Sequence, residues 1–468
     1  MRSTFGVIVG NRGFFADELA RSGRQEMLAV MGSLGLEAIT LREDQGVSGS
    51  VQSREDAKVC AQLFKEHKED ILGIIVSLPN FGDEKAVADV IRHSGLDVPV
   101  LVHAFPDQLG ALDYAHRRDS FCGKISVCNS LKQYGIPFSL TSQHTMDPAG
   151  DAFKADLLHF AGVCRVVSRL RQARLGIIGP RPNDFNTVRF SEKILERQGI
   201  SVESIGLIDV INSIANYGDS DSAVAEARER IATYMDASRI PAEAMVKLAK
   251  LLLVTEQWVK DNEYDAIAIQ CWSSLQETFG VNPCVMMSML SQAGLPAACE
   301  ADAAGALSML ALQAASGRPS ALVDWNNNYA DDPNKVVLFH CGNYAKAFYE
   351  SAAISYADIL GSTLGNDKTY GAIAGNIKSG PVTFARVSTD DTTGRICAYV
   401  AEGTMTDDAL DTFGSWGVAD IADLNGLMQH ICREGFEHHV AISLSQTARM
   451  LAEAFGNYLG WSVHRHEG

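Results

Sequence analysis

The stretch RLGIIGPRPNDF, residues 174–185, decides how this chain is divided. Its apolar run stops at a loop marked by Gly and Pro, as a buried strand does at a turn. FSEKILERQG follows as a helix closed by Gly199, then SVESIGLID as a strand and 221–262 as a long helical region. YDAIAIQCW (264–272) is a strand and PCVMMSMLSQAG (283–294) a helix. LPAACE, SALVD and KVVLFHC read as three further strands. Strands alternating with helices mark a parallel sheet covered on both faces.

The same series has run once already before Arg174. FGVIVG (5–10) is a strand, and 16–35 carry helical spacing with Leu19, Met27, Leu28 and Met31 on one side. LEAITL (36–41), ILGIIVSLP (71–79) and VPVLVHAF (98–105) are strands, separated by the helices REDAKVCAQLFKEHKED (54–70) and AVADVIRHSG. After about residue 345 the pattern changes. AKAFYESAAISYADIL (345–360) predicts a helix, and GPVTFARVSTD (380–390) and RICAYVAEGTM (395–405) flank DTTG as an antiparallel hairpin. HHVAISLSQTARMLAEAFGNYLG (438–460) reads as a strand or turn leading into a final helix. The expected class is α/β: two doubly wound parallel-sheet domains, 1–170 and 171–345, followed by a C-terminal antiparallel β-rich domain, 346–468.

Composition excludes some partners. The chain has 468 residues, 46% of them hydrophobic, and a net charge of −17. Nucleic acid and anionic membranes both need basic faces. No run approaches the roughly 20 apolar residues of a membrane span, and MRSTFGVIVGNRG lacks a signal-peptide pattern, so a cytoplasmic protein is expected. The 10 cysteines include no CxxC pair and read as buried reduced thiols.

The residues that carry chemistry stand at strand ends. Glu300 ends LPAACE, Asp324 ends SALVD, His340 closes KVVLFH, and His438 and His439 lie in EGFEHHVAIS. Ligands of open α/β sheets bind beyond the carboxyl ends of the strands, so Glu300, Asp324 and His340 are expected to converge on one edge of the second unit. Two carboxylates and up to two imidazoles form a hard, mixed O/N set for one divalent metal. Singly, each has a plainer reading: the carboxylates cap turns, His340 hydrogen-bonds in a partly buried layer, and the His pair is solvated. If the pair is extended, its side chains point to opposite faces and only one can face a given metal. Gln270 and Trp272, in IAIQCWSS, offer an amide and an apolar platform for a sugar, or ordinary core. The loop GPRPNDFNT (179–187) offers Arg181 and Asn186, and GNRGFF (10–15) offers Arg12, with neither GxGxxG nor Walker spacing.

At ACEAD with Glu300, LVDW with Asp324, LFHCG with His340 and EHHVAIS with His439, the chain resembles the L-fucose isomerase and L-arabinose isomerase superfamily. The resemblance implies two N-terminal α/β domains and a C-terminal domain rich in antiparallel strands. It implies that Glu300 and Asp324 bind metal and transfer protons, and that His439 is the C-terminal ligand. His340 resembles a ligand of the arabinose branch, which the fucose branch manages without. The implied metal is Mn²⁺, or Mg²⁺ or Co²⁺. The implied assembly is a homo-oligomer, trimer or hexamer, in which Arg12 reaches a neighbouring site; His438 is left to substrate or packing. The expected function is aldose–ketose isomerisation of a sugar through a cis-ene-diol. Two alternatives stay open: a modified sugar, sulfonated or acidic, with Arg181 on the anion, and a non-catalytic sugar-binding protein.

Overall fold

A computed structural model describes residues 3–468, which divide into two compact units, one ending at Ser168 and the other Arg169–Gly468. The first unit holds β1 (Ser3–Val9), β2 (Leu36–Ile39), β3 (Ile71–Leu78), β4 (Val100–Ala104) and β5 (Ser139–Leu140), all parallel, in the order β2-β1-β3-β4-β5. Alternate residues of its strands serve two separate cores. Ile8, Ile74, Val76 and Val102 pack on one face, and Phe5, Val7, Val9, Ile75 and Leu101 on the other. That is why these strands are apolar throughout. At Gly73 a Cβ would meet Cys164 Sγ at 2.5 Å, so the helix Asp151–Leu170 approaches the sheet more closely than any side chain would permit.

The second unit begins with a parallel sheet of β6 (Arg174–Ile178), β7 (Ser201–Ile205), β8 (Ala266–Ile269) and β9 (Ala297–Ala298), ordered β7-β6-β8-β9. The helix Ala303–Ser316 follows and is buried on nearly all sides, as its uniformly apolar sequence requires. It lies against β6 and β8 of this sheet and against β14 and β17 of the next.

The remaining strands are β10 (Ala321–Asn328), β11 (Lys335–His340), β12 (Tyr349–Tyr356), β13 (Tyr370–Ile377), β14 (Gly380–Asp390), β15 (Arg395–Met405), β16 (Ser415–Asp420), β17 (His439–Ser443) and β18 (Ser462–Arg465). Their order is β12-β13-β16-β11-β10-β17-β14-β15-β18, and β15 also pairs with β16. The strands from β16 round to β15 therefore close into an antiparallel ring, a β-barrel. The chain is thus parallel α/β followed by an antiparallel, barrel-containing region. No helix among the described residues is long and apolar enough to cross a membrane, and all ten cysteines are free.

Several elements depart from the sequence reading. The strands ending near Asp324 and His340 do not extend the second parallel sheet; β10 and β11 pair antiparallel inside the barrel. Residues 329–334 are all that join them, a hairpin-length link, whereas a parallel crossover needs about a dozen residues or more. The helix expected over 345–360 is instead a single turn, Lys346–Phe348, the strand β12, and a short helix, Asp358–Leu364. There, ladder pairing from Tyr349↔Ile377 to Tyr356↔Tyr370 overrides local helix propensity. SVESIGLID stops as a strand at Ile205, and 221–262 breaks into Ser222–Tyr234 and Ala242–Asn262 around Pro241.

The start of the buried helix is tightly fitted. Asp302 caps it by accepting from Gly305 N at 2.8 Å. A Cβ at Gly305 would lie 2.5 Å from Asp302 Oδ2 and 2.9 Å from Leu322 Cδ1. Gly305→Ala is therefore expected to lower stability by about 1–3 kcal/mol through overpacking, read as a lower urea midpoint. An unchanged midpoint would show that the cap can move aside.

Candidate active site

The site forms where the parallel sheet meets the barrel within the second unit. β8 and β9 end side by side, delivering Trp272 and Glu300, and Trp272 Nε1 donates to Glu300 Oε1 at 3.0 Å. Glu300 and Ala301 both adopt left-handed backbone, with φ of 61° and 55°. That conformation is costly for residues with a Cβ. It is held by Ala301 N donating to Ile269 O at 3.0 Å and Asp302 N to Cys299 O at 3.1 Å. The barrel supplies the rest. Asp324 and His439 are directly opposed partners on β10 and β17, so their side chains share a face. His439 Nε2 lies 2.8 Å from Glu300 Oε2 and 3.4 Å from Asp324 Oδ1. His340, at the end of β11, places its ring centroid 5.9 Å from that of His439.

Four buried atoms, Glu300 Oε2, Asp324 Oδ1, His340 Nε2 and His439 Nε2, have no hydrogen-bond partner outside this cluster, and Glu300 Oε2 and His439 Nε2 face each other at 2.8 Å. Glu300, His340 and His439 form one cluster of metal-ligating groups, and Asp324, His438 and His439 a second that shares His439. Octahedral ligands about 2.1 Å from an ion are about 3 Å apart, which matches the Glu300–His439 and Asp324–His439 separations. Charge points the same way. Of four neighbouring carboxylates, Asp302 and Glu437 pair with the guanidinium of Arg386, while Glu300 and Asp324 approach, among basic groups, only histidines. An added cation would offset that excess. The residues thus fit a divalent metal.

Comparisons with known proteins agree with this geometry. The family described as "Fucose/sulfoquinovose isomerase, N-terminal domain" matches residues 6–171, and "L-fucose isomerase, C-terminal domain" matches residues 338–467. The chain belongs to the fucose isomerase-like family. It is an aldose–ketose isomerase. A protein named sulfoquinovose isomerase from Priestia aryabhattai is 24% identical over 409 residues, covering 86% of this chain and 87% of that protein. One of the same name from Alkalicoccus urumqiensis is 24% identical over 393 residues, 81% of this chain and 83% of that protein. A third, from Clostridium sp. (strain MSTE9), is 25% identical over 232 residues, 49% of this chain and 51% of that protein.

In this fucose isomerase-like protein, Glu300, Asp324, His340, His438 and His439 come together with Trp272. Both histidines of the pair approach one carboxylate: His438 Nε2 is 3.5 Å and His439 Nε2 3.4 Å from Asp324 Oδ1. The alternation expected of an extended pair does not separate them, because β17 begins only at His439. Gln270 is buried beyond β8, where its Nε2 donates to Ser274 Oγ at 3.4 Å and its side chain packs on Gly179. Arg181 donates to Pro182 O at 2.8 Å and Asn183 O at 3.3 Å, and has no carboxylate partner among the described residues. Arg12 belongs to the first unit, where it donates to Gly82 O and Glu84 and lies over the Phe81 ring.

Other groups of the site were not singled out from the sequence. Phe185, in the loop after β6, sets its ring 5.2 Å from Trp272 and 5.4 Å from His438. Behind His439 runs a buried chain. His439 Nδ1 is 2.8 Å from Asp302 Oδ2, Asp302 accepts from Arg386 Nη1 at 2.5 Å and Nη2 at 3.1 Å, and Arg386 Nε donates to Glu437 Oε2 at 2.9 Å. Ser388 Oγ closes it by donating to Glu437 Oε1 at 2.7 Å. The sequence signal was present: Asp302 precedes an apolar helix as a cap would, and Arg386 stands alone inside the apolar strand VTFARV.

These contacts set the charges. Burial would raise the Glu300 carboxyl, but contact with His439 and the charges of His340 and His439 hold it at about 2. Burial would lower His439, but Asp302 and Glu300 push it up to about 10. His438 moves down, through burial and then the charge of His439. Without metal, the Glu300 contribution to stability is complete above its ordinary 4.5 and fades as pH falls toward 2. The His439 contribution is complete below its ordinary 6.5 and fades as pH rises through about 10. EDTA-treated protein should therefore resist urea best between about pH 4.5 and 6.5 as far as this pair decides. Mn²⁺ should add most above that window, because metal takes the neutral imidazole. Urea midpoints across pH, with and without Mn²⁺, measure both. An Mn²⁺ gain that shrinks as pH rises would contradict this linkage.

Proposed function

We propose that this isomerase uses a divalent metal, Mn²⁺ or else Mg²⁺ or Co²⁺, and converts a sulfonated aldose to its ketose through a cis-ene-diol. The observation that carries the metal reading is the convergence of buried Glu300 Oε2, Asp324 Oδ1 and His439 Nε2, which have no partner outside their own cluster. The sulfonated substrate is supported by the names of the relatives that align over most of this chain. Arg181, a guanidinium without a carboxylate partner among the described residues and four positions before Phe185 in the loop after β6, is assigned to the anion.

A divalent cation on Glu300, Asp324 and His439 would polarise the two neighbouring sugar oxygens. The side chains do the proton work. Conversion of aldose to ketose moves one proton from C2 to C1 and another from O2 to O1. Glu300 and Asp324 flank one space, since both reach the same nitrogen of His439. One carboxylate takes the C2 proton and returns it at C1, and the other passes the hydroxyl proton. The Trp272 N–H occupies Glu300 Oε1 and leaves Oε2 turned toward His439 and the shared space. Phe185 and Trp272 form an apolar wall that limits water at the ene-diol. Gln270 and His438 are assigned to sugar hydroxyls. The same reading has a cytoplasmic homo-oligomer, trimer or hexamer, in which Arg12 serves a neighbouring subunit's site.

The test is conversion of a sulfonated aldose, followed by NMR. Metal-stripped protein should be inactive and Mn²⁺ should restore it; full activity after stripping would sink the metal reading. Glu300→Gln and Asp324→Asn should each lower kcat by about 10²-fold or more. Arg181→Ala should raise KM for the sulfonated sugar by about 10-fold, the loss of one charge-assisted contact, and leave a neutral aldose unaffected. Equal KM changes for both sugars would remove Arg181 from anion recognition.

A further inference from the structure

Two imidazoles face the same cluster of unpartnered atoms, and what stands behind each ring decides what its front can offer. A neutral imidazole has one N–H and one lone pair, so fixing the role of Nδ1 fixes that of Nε2. Behind His439 is Asp302 Oδ2, 2.8 Å from Nδ1. Asp302 is fully buried and takes two guanidinium N–H groups of Arg386. Those contacts keep it a carboxylate, which only accepts. His439 Nδ1 must therefore donate; Nε2 faces a second carboxylate, Glu300 Oε2, at 2.8 Å, so a metal held by both groups would replace the Nε2 proton and leave the lone pair of the neutral ring on Nε2.

Behind His340 the situation is reversed. The backbone N–H of Cys341 donates to His340 Nδ1 at 2.8 Å. A peptide N–H has nothing to accept with, so Nδ1 carries the lone pair and the proton of the neutral ring is on Nε2. A doubly protonated ring would set N–H against N–H at that distance. A ring that ligates a metal through Nε2 would do the same, because its proton would have to move to Nδ1. Yet His340 Nε2 is buried and without a partner, directed at the cluster that contains Glu300 and His439.

We infer that the two rings are held in opposite tautomers: His439 ligates the metal through Nε2, whereas His340 is no ligand but an N–H donor to a sugar oxygen, with Asp302 and Arg386 as the positioning residues of His439. The inference rests on the metal-dependent isomerase reading. The chemistry suits the reaction. A neutral N–H fixed in a dry site stabilises an oxygen that gains negative charge at the ene-diol stage, and it costs no reorganisation there. A metal ligand and a neutral donor can then share one face of the sugar without competing for the same lone pair.

The experiment counts imidazoles at the metal. Protein labelled with ¹⁵N-histidine is loaded with Mn²⁺ and examined by pulsed EPR. The number of coordinated imidazoles is expected to be the same in wild type and in His340→Ala, and a count that falls by one in His340→Ala would overturn the inference without touching the isomerase reading. His340→Ala should keep Mn²⁺ affinity within about 3-fold while kcat/KM falls by about 10²-fold, as for loss of one donor to a developing oxyanion. His340→Gln, which still carries an N–H, should recover part of that loss. Asp302→Asn should weaken Mn²⁺ by about 10- to 100-fold. If His340→Ala weakens Mn²⁺ as much as His439→Ala, or leaves turnover untouched, the donor role is wrong. Wild-type protein that takes up no Mn²⁺ would overturn the ligand half together with the metal reading.

Discussion

The ion pair between Arg386 and Asp302 is the interaction on which the second unit turns. Both side chains are fully buried, one on a barrel strand and the other at the cap of the helix that leaves the parallel sheet. Removing either partner would strand the other charge in the interior, at a cost of about 3–5 kcal/mol. Asp302 serves three neighbours at once: the helix start through Gly305 N, Arg386, and the His439 ring. Fold and site therefore share one carboxylate, and a change that loosens the cap also loosens the imidazole.

The strain at Glu300 fits the same picture. Two consecutive left-handed residues turn the chain sharply between β9 and the buried helix, putting Glu300 toward the barrel while Asp302, two residues on, reaches the ring from behind. A regular strand-to-helix turn would not place two carboxylates of one segment on opposite nitrogens of a single imidazole. The energy of the turn is offset by the contacts on either side, including the Trp272 N–H.

Much of this was legible in the sequence. Apolar runs alternating with helical spacing gave the parallel sheets, and the hairpin over 380–405 falls where its DTTG turn puts it. Glu300, Asp324 and His340, which close apolar runs, do meet, together with His439, which opens one. Membership of sheets was harder. SALVD and KVVLFH are equally apolar in a parallel or an antiparallel sheet, and only the short link between them separates the cases. The helix expected over 345–360 failed because pairing with the following strand, β13, outweighed local preference. Asp302 and Arg386 were passed over because a cap and a lone arginine are common in isolation, and their meaning comes from being 84 positions apart and in contact.

The closed ring of strands has a consequence for how such a protein can change over time. Sliding β17 by one residue against β10 would put His438 opposite Asp324 and turn His439 away. An open sheet tolerates such a slip at its edge. A ring in which every strand is bonded on both sides does not, because the error would have to be carried all the way round. The juxtaposition of Asp324 and His439 is therefore locked by backbone hydrogen bonds, which depend little on side-chain identity. The loops at the barrel mouth and after β6, with Phe185 and Arg181, are under no such lock. Mutation can vary those loops while the barrel keeps Asp324 and His439 opposed, so the rim of the cluster is free to diverge faster than its centre.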